Sequence, residues 1–414
     1  MTKPLRIGLM MQGDRNWIGG TEYIKNIVLA LASLPAEVQS TFELSLICPK
    51  TIDPSLYKQL QPYLKNIHYQ DAVLPPPTLL NRLYWKIFRR LSKQNDPQLE
   101  AFLRQQKPET LLRQQQLETL LKQQQLDFVY PHLSLSTGQQ PYRSAAWIYD
   151  FQHKHLPEFF STEEVQQRDQ LFALIAHQAP IVVLSSKSAE SDFHKFFSEA
   201  HDKTEVLSFK TSPAPTWYEG KPQQIQQEYF LPDRFFLVSN QFWQHKNHLV
   251  VFKALKLLQE KSIYPNVVFT GHLHDHRQPS YADTVLQTIH KLGIAKQVYL
   301  VGLIPKLDQI QLMRHSLAVI QPSLFEGWST LVEDARCLGK RMILSDLPVN
   351  LEQDPPNSVF FERNSPEHLA QFLADWWEHL SPGPDPEQEA IAKINAVKEV
   401  KAFGSRFLEI AKDH

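Results

Sequence analysis

The chain has 414 residues, a formal net charge of -1, 13 glycines and two cysteines. Hydrophobic residues make up 42% and charged residues 21%, which excludes collagen-like, disulfide-stapled and wholly disordered classes. The balanced charge argues against a general nucleic-acid binder, and at roughly 150 residues per domain the length predicts two or three domains.

Pro4 and Arg6 lead straight into an apolar run, so no signal peptide is expected, and no stretch approaches the length of a membrane span. Leu5 to Met11 reads as a buried strand. A loop follows, carrying Gly13, Gly19 and Gly20, then a helical pattern from Thr21 to Leu31 and a strand from Phe42 to Cys48. That is a βαβ unit. Cys48 and Cys337 lie far apart, fit no metal or redox motif, and suggest reduced thiols in a cytoplasmic protein.

Residues 79–93 (LLNRLYWKIFRRLSK) place apolar side chains at i, i+3 and i+4, with five positive charges and no acid. Two readings stand: a basic amphipathic helix making a peripheral contact with the cytoplasmic membrane face, or a core helix with a solvated basic face. Residues 100–126 follow as three near-copies of a nonapeptide, EAFLRQQKP, ETLLRQQQL and ETLLKQQQL. Nine residues turn a helix through about 900°, so successive copies face opposite ways and their leucines build no single seam. A protruding helical arm is expected, either a spacer or a partner-binding element.

Short apolar runs at 127–130, 145–148 and 181–185 continue the strand rhythm. It restarts at Arg234, with strands read at 235–239, 267–270, 298–301, 318–321 and 342–345. Between the halves, 213–228 is polar, holds Pro213, Pro215, Gly220 and Pro222, and reads as a linker. The expected organisation is therefore 1–212, a linker at 213–228, 229–389, and a last helix at 390–414 returning to the first domain. Ligands of such parallel sheets bind beyond the carboxyl ends of the strands.

The strongest chemical signal is Pro322-Ser323-Leu324-Phe325-Glu326-Gly327-Trp328-Ser329-Thr330-Leu331-Val332-Glu333-Asp334-Ala335. It leaves a strand, turns at Gly327 and enters a helix that Ser329 or Thr330 can cap. Unpaired amides and the helix dipole make an anion site suited to a diphosphate. Glu326 and Asp334 flank that cradle, as carboxylates reaching sugar hydroxyls on either side of a diphosphate would. A capped helix with acids in its first turn explains the same residues without a ligand.

This stretch resembles the E-x7-E motif of retaining GT4-type (group 1) glycosyltransferases with the GT-B fold. The resemblance extends to Phe151-Gln152-His153-Lys154-His155, to Ser239-Asn240-Gln241-Phe242-Trp243-Gln244-His245-Lys246 and to Val301-Gly302-Leu303-Ile304-Pro305. It implies an α/β architecture of two Rossmann-like doubly wound domains facing across a cleft. It also implies a metal-independent enzyme moving a sugar, with retention, from a nucleotide-sugar donor to an acceptor sugar, glycan or lipid-linked glycan. By the same resemblance Glu326 contacts the donor sugar, and Asp334 holds the ribose unless Glu333 substitutes. Lys246 meets the phosphates. Gln241 stands where the family carries an arginine, with Asn240 and Gln241 both expected to reach the phosphate, and His153 takes the sugar-proximal role of a histidine missing from its usual register. Gly19, Gly20, Gly327, Trp328, Ser329 and Thr330 complete the donor site.

No cofactor or metal is expected. His272, His274, Asp275 and His276 cluster on a loop too short to arrange a tetrahedral set. Two alternatives remain: a degenerate nucleotide-sugar binder or scaffold, and a GT-B enzyme of another reaction, such as an epimerase or phosphorylase.

Overall fold

The computed structural model describes residues 3–13, 17–70, 108–134, 140–275 and 277–413, with the backbone only for 108–112. The basic segment 79–93, nearly all of the first nonapeptide copy and His276 lie outside the described residues. Chain contacts divide the protein into two units: 1–149 with Glu163–Phe209 and Val400–His414, and Asp150–Thr162 with Lys210–Glu399.

In the first unit, β1 (Leu5–Met10), β2 (Phe42–Pro49), β3 (Asn66–Gln70), β4 (Phe128–Tyr130) and β5 (Arg143–Ser144) form a sheet of order β3-β2-β1-β4-β5. A second sheet holds β6 (Ala146–Ile148), β7 (Val182–Leu184) and β8 (Thr204–Val206). All their pairings are parallel. Ile7, Leu9, Leu46 and Val129 are fully buried, as expected for parallel strands covered on both faces. Helix Ile18–Ala32 buries Tyr23, Ile24, Ile27, Val28 and Leu31 at helical spacing.

The nonapeptide segment departs from the expected arm. Helix Pro108–Gln123 packs its last turns into the unit, with Leu121 fully buried against Ile47, Leu126, Val129 and Tyr142, and Leu117 and Leu120 alongside. The reason is local: Leu117, Leu120 and Leu121 lie at i, i+3 and i+4, so one face forms even though copies drift. Glu118 is drawn in with them. Its carboxylate accepts from Tyr142 Oη at 2.5 Å and lies 3.3 Å from His132 Nε2. Burial pushes this carboxyl up, but the His132 and Tyr142 hydrogen bonds outweigh it and hold it below its ordinary value.

The last helix, Pro386–Asp413, starts earlier than expected and passes from one unit's residues to the other's at Val400. Within the first unit its Phe407 ring stands edge-on to Phe128 and Tyr130. A Cβ on Gly404 would lie 2.6 Å from the Ala30 carbonyl oxygen, so glycine there lets two helix backbones touch.

The second unit carries β9 (Phe236–Ser239), β10 (Val267–Thr270), β11 (Val298–Gly302), β12 (Val319–Gln321), β13 (Met342–Ser345) and β14 (Ser358–Phe361), in the order β11-β10-β9-β12-β13-β14. All are parallel. Alternate side chains enter opposite core layers. Phe236, Val238, Val267, Phe269, Ile320 and Ile343 pack on one face; Leu237, Val268, Val319, Met342 and Leu344 pack on the other.

The expected linker at 213–228 is instead an ordered part of this unit. It holds helices Thr216–Glu219 and Pro222–Glu228; Trp217 is buried, and Gln311 and Arg314 hydrogen bond to the carbonyls of Trp217 and Gly220. Pro222 fits because it sits in a first helical turn, where no amide is missed. Among the described residues no helix is long and apolar enough to cross a membrane, and no group of three or more metal-ligating side chains comes together.

Candidate active site

The strand order of the second unit places a switch between β9 and β12: the chain leaves β9 towards β10 and β11, then crosses back through β12 towards β14. In open parallel sheets the crevice at such a switch point takes the ligand. The loops leaving these two strands are Asn240–Lys246 and Pro322–Ser329, the segments singled out from sequence.

The two loops are wired together by polar side chains. Asn240 Nδ2 donates to Gln321 Oε1 at 2.9 Å, and Gln321 Nε2 donates to Glu326 Oε1 at 2.8 Å and Ser329 Oγ at 3.1 Å. Ser323 Oγ and Lys246 Nζ also donate to Glu326 Oε1, each at 2.6 Å. Three donors thus converge on one carboxylate oxygen, in a pair whose side chains are only 14% and 9% exposed. Such charge-assisted contacts are short and strong in a partly desolvated site.

Ser329 caps helix Thr330–Cys337, its Oγ accepting from the Val332 amide. Gln353 fixes this cap from outside. Its Oε1 accepts from the Ser329 amide, while its Nε2 donates to the Ser329 carbonyl and to Glu333 Oε1, all at 3.1 Å. Glu333 is enclosed, its side chain 1% exposed, with Lys210 Nζ at 3.3 Å and Arg336 Nε at 3.8 Å. Asp334 accepts from Thr211 Oγ1 at 3.2 Å and pairs with Lys306, whose side chain is 40% exposed. Of the two acids weighed for the ribose, Glu333 is committed inward and Asp334 borders an exposed cation.

His245 and His248 flank Lys246 in the fold. His245 is buried, and desolvation together with the charges of Lys246, Arg277 and His248 pushes it well below its ordinary value. His248 stacks on Phe242 at 4.3 Å and is pushed down to about 3 by burial and by Lys246. Both imidazoles are neutral at pH 7.

The remaining residues read from sequence fall as follows. Gly327 and Thr330 are half-buried at the motif turn, and Lys210 Nζ lies 5.4 Å from the Trp328 ring. Gln241 Oε1 accepts from the His272 amide at 3.0 Å. His153 is 1% exposed, with Phe151 and Phe160 each at 6.4 Å between ring centroids. Gly19 and Gly20, expected on a loop, lie in the first turn of helix Ile18–Ala32. A Cβ on Gly20 would lie 3.0 Å from the Trp17 ring and from the Gly13 amide nitrogen. Gly20 therefore admits the Trp17 indole, while a Cβ on Gly19 would meet it only at ordinary contact distance, 3.5 Å. Asp275 uses its two oxygens on the Gln244 and Arg277 amides, each at 3.0 Å. Gln321, Ser323, Gln353, Thr211 and Lys306 were not anticipated. Gln321 and Ser323 could have been found from their place at the end of β12; Gln353, 24 residues past Ser329, carries no local signal.

Residues 221–393 match the model of the glycosyl transferases group 1 family. The chain therefore carries a group 1 glycosyltransferase domain, and it is a glycosyltransferase with the GT-B fold. Among solved structures it is similar to HepE of Anabaena, in complex with UDP and glucose, at 14% identity and a TM-score of 0.66 over 99% of this chain and 100% of that one. A glycosyltransferase of Rickettsia africae matches at 14% and 0.63, over 100% of this chain and 99% of that one. A trehalose-6-phosphate protein from E. coli, bound with UDP-2-fluoro glucose, matches at 14% and 0.64, over 99% of both. No curated protein matches by sequence.

Proposed function

We propose that the chain transfers a sugar from a nucleotide-sugar donor to an acceptor hydroxyl with retention at the anomeric carbon, its donor held by the second unit. The observation that carries this is Glu326 Oε1 gathering Lys246, Ser323 and Gln321 beside a capped helix N-terminus at the sheet's switch point. Donor departure leaves charge on a diphosphate, and fixed positive groups aimed at that charge lower the barrier. Lys246 and the amides of the first turn of Thr330–Cys337 fill this role. Glu326 orients the sugar hydroxyls, and its three donors hold it there without reorganisation. Asp334 accepts from the ribose hydroxyls in place of part of its Lys306 contact. The departing β-phosphate takes the acceptor proton on the same face, which accounts for retention. In this reading His153, buried between phenylalanines, makes no substrate contact, and Gly19 and Gly20 serve packing.

The similar structures with UDP and glucose make UDP-glucose the first donor to test. A panel of nucleoside diphosphates should raise the melting temperature for one base, since a ligand at 100 times its Kd stabilises by about 2.7 kcal/mol. The anomeric configuration of the product, read by proton NMR against that of the donor, tests retention. Inversion, or no thermal response to any nucleoside diphosphate, would overturn the assignment.

A further inference from the structure

The amino ends of β12 and β13, opposite the strand ends that carry the donor loops, border a cleft of about 270 Å3. Its charged lining is Arg314, Lys340, Arg341, His379, Asp385 and Glu389, all of the second unit. The volume is near the lower end for small-molecule pockets, roughly 300 Å3. Lys340 is 8% exposed, and its Nζ donates to the carbonyls of Arg314 at 3.0 Å and Gly383 at 3.3 Å. The first carbonyl belongs to the last turn of helix Lys306–His315, so the lysine caps that end. An ammonium has a third N–H, however, and this one finds no partner among the described residues, nor does any carboxylate there pair with the charge.

Buried charges are ordinarily paired. The acids around Lys340 are committed elsewhere. Glu389 gives its two oxygens to Arg314 Nε and NH2, at 2.5 and 3.0 Å, and Asp385 accepts from the Gln388 amide at 3.1 Å. Arg314 spends NH1 on the Gly220 carbonyl and Gln311 Oε1. His379 pairs with Asp375 at 3.1 Å. Arg341 is exposed, and its guanidinium has no partner among the described residues. With Arg314 and Glu389 set against each other, two cations, Lys340 and Arg341, face one exposed carboxylate, Asp385. Burial, reinforced by Arg341 and Arg314 and opposed by Glu389 and Asp385, pushes the Lys340 ammonium down to about 7. A cap explains two hydrogen bonds; it explains neither the unmatched donor nor the open space beside it.

We infer that this cleft is an anion site, separate from the donor site, that takes a phosphoryl group, free or on a small metabolite, with Lys340 and Arg341 as its cations. The test is titration calorimetry on the full chain, with sulfate as the first probe because it does not titrate near neutral pH. At pH 8, in two buffers of different ionisation enthalpy, the free lysine is mostly neutral and the bound one charged, so binding should take up close to one proton. Affinity should be level below about pH 7 and fall by up to tenfold per pH unit above it. Inorganic phosphate and glucose 6-phosphate then separate the two sources. The ester binds at least threefold tighter if a metabolite is the occupant, and inorganic phosphate at least as tightly as the ester if the free ion is. Lys340→Met should weaken sulfate at least tenfold and abolish the proton uptake. Arg341→Gln should weaken it threefold or more and keep the uptake, and Lys246→Ala, in the donor site, should change neither. Should Lys340→Met not fold, as judged by circular dichroism, Arg341→Gln and the proton count on the unsubstituted chain carry the test. No sulfate binding at millimolar concentration, binding without proton uptake, an affinity that neither cleft variant alters, or its loss in Lys246→Ala would overturn the site.

Discussion

Glu326 and Lys246 sit 2.6 Å apart in a site where each also serves the substrate reading, so their removal should be felt in chemistry more than in folding. Glu326→Ala and Lys246→Ala should each lower transfer by roughly 100-fold or more, the scale of losing one preorganised electrostatic group. Circular dichroism should stay unchanged. Wild-type turnover in either variant would remove the residue from the site. Gln353 makes a different prediction. Gln353→Leu strips partners from both backbone groups of Ser329 and from buried Glu333, at a cost of about 2 kcal/mol. Urea unfolding should show that loss, with slower transfer as the cap loosens. An unchanged midpoint together with an unchanged rate would rule out the clamp. These residues also show how far a sequence can be read. Glu326 was legible because strand, turn and helix succeed one another within a dozen positions. Gln353 was not, because an uncharged side chain acting across a fold has no spacing to betray it. Gly19 and Gly20 were legible as glycines but not as the bed of an indole, since nothing local says which side chain a glycine makes room for.

At the scale of elements, the second unit was the more readable. Its strands alternate between two apolar layers, and five of the six were placed within a residue or so; β14, short and only partly buried, was missed. The linker and the nonapeptide helix were misread for one reason. Both are rich in glutamine, and both become ordered through a few large apolar residues, Trp217 in one and Leu117, Leu120 and Leu121 in the other. Average polarity hides such anchors. Two substitutions probe packing in the first unit, one in the last helix and one in the nonapeptide helix. Helix propensity favours alanine over glycine by up to about 1 kcal/mol, while forcing a Cβ against the Ala30 backbone costs about 1–3 kcal/mol. Gly404→Ala should therefore lower stability on balance, since backbone gives way less than a flexible side chain. A stabilised variant would show that the helices separate freely. Glu118→Ala should cost roughly 2 kcal/mol near neutral pH by leaving Tyr142 and His132 without their acceptor. Because the folded carboxyl is held below its ordinary value, its contribution is present above that value and fades as acid protonates it. The difference between wild type and Glu118→Ala should accordingly shrink as the pH falls through the carboxylate range, and a difference that grows would contradict the pairing.

For the molecule as a whole, the buried histidines set its response to acid. His245 and His248 are neutral in the folded state and take up protons near pH 6.5 once unfolded. Stability attached to each is complete above about pH 6.5 and drains below it, at up to about 1.4 kcal/mol per pH unit per histidine, until the depressed folded value is reached. Urea midpoints at pH 7 and pH 5 should differ accordingly, and His248→Gln should flatten the slope by about one proton. An unaltered slope would mean that His248 already titrates in the native protein.

The repeated nonapeptide imposes an asymmetry on how this gene can drift. Its second and third copies differ at a single position, and the stretch from Leu117 to Leu126 packs against β2 and β4. Duplicating a copy leaves that stretch and its neighbours as they are and adds nine residues upstream. Losing the second or third copy brings the proline at position 108 into the place of Leu117, where the helix now packs, whereas losing the first leaves Leu117 in place. Slippage of the repeat is therefore open to growth but open to loss only at its first copy, so lineages of this protein should lengthen here more readily than they shorten.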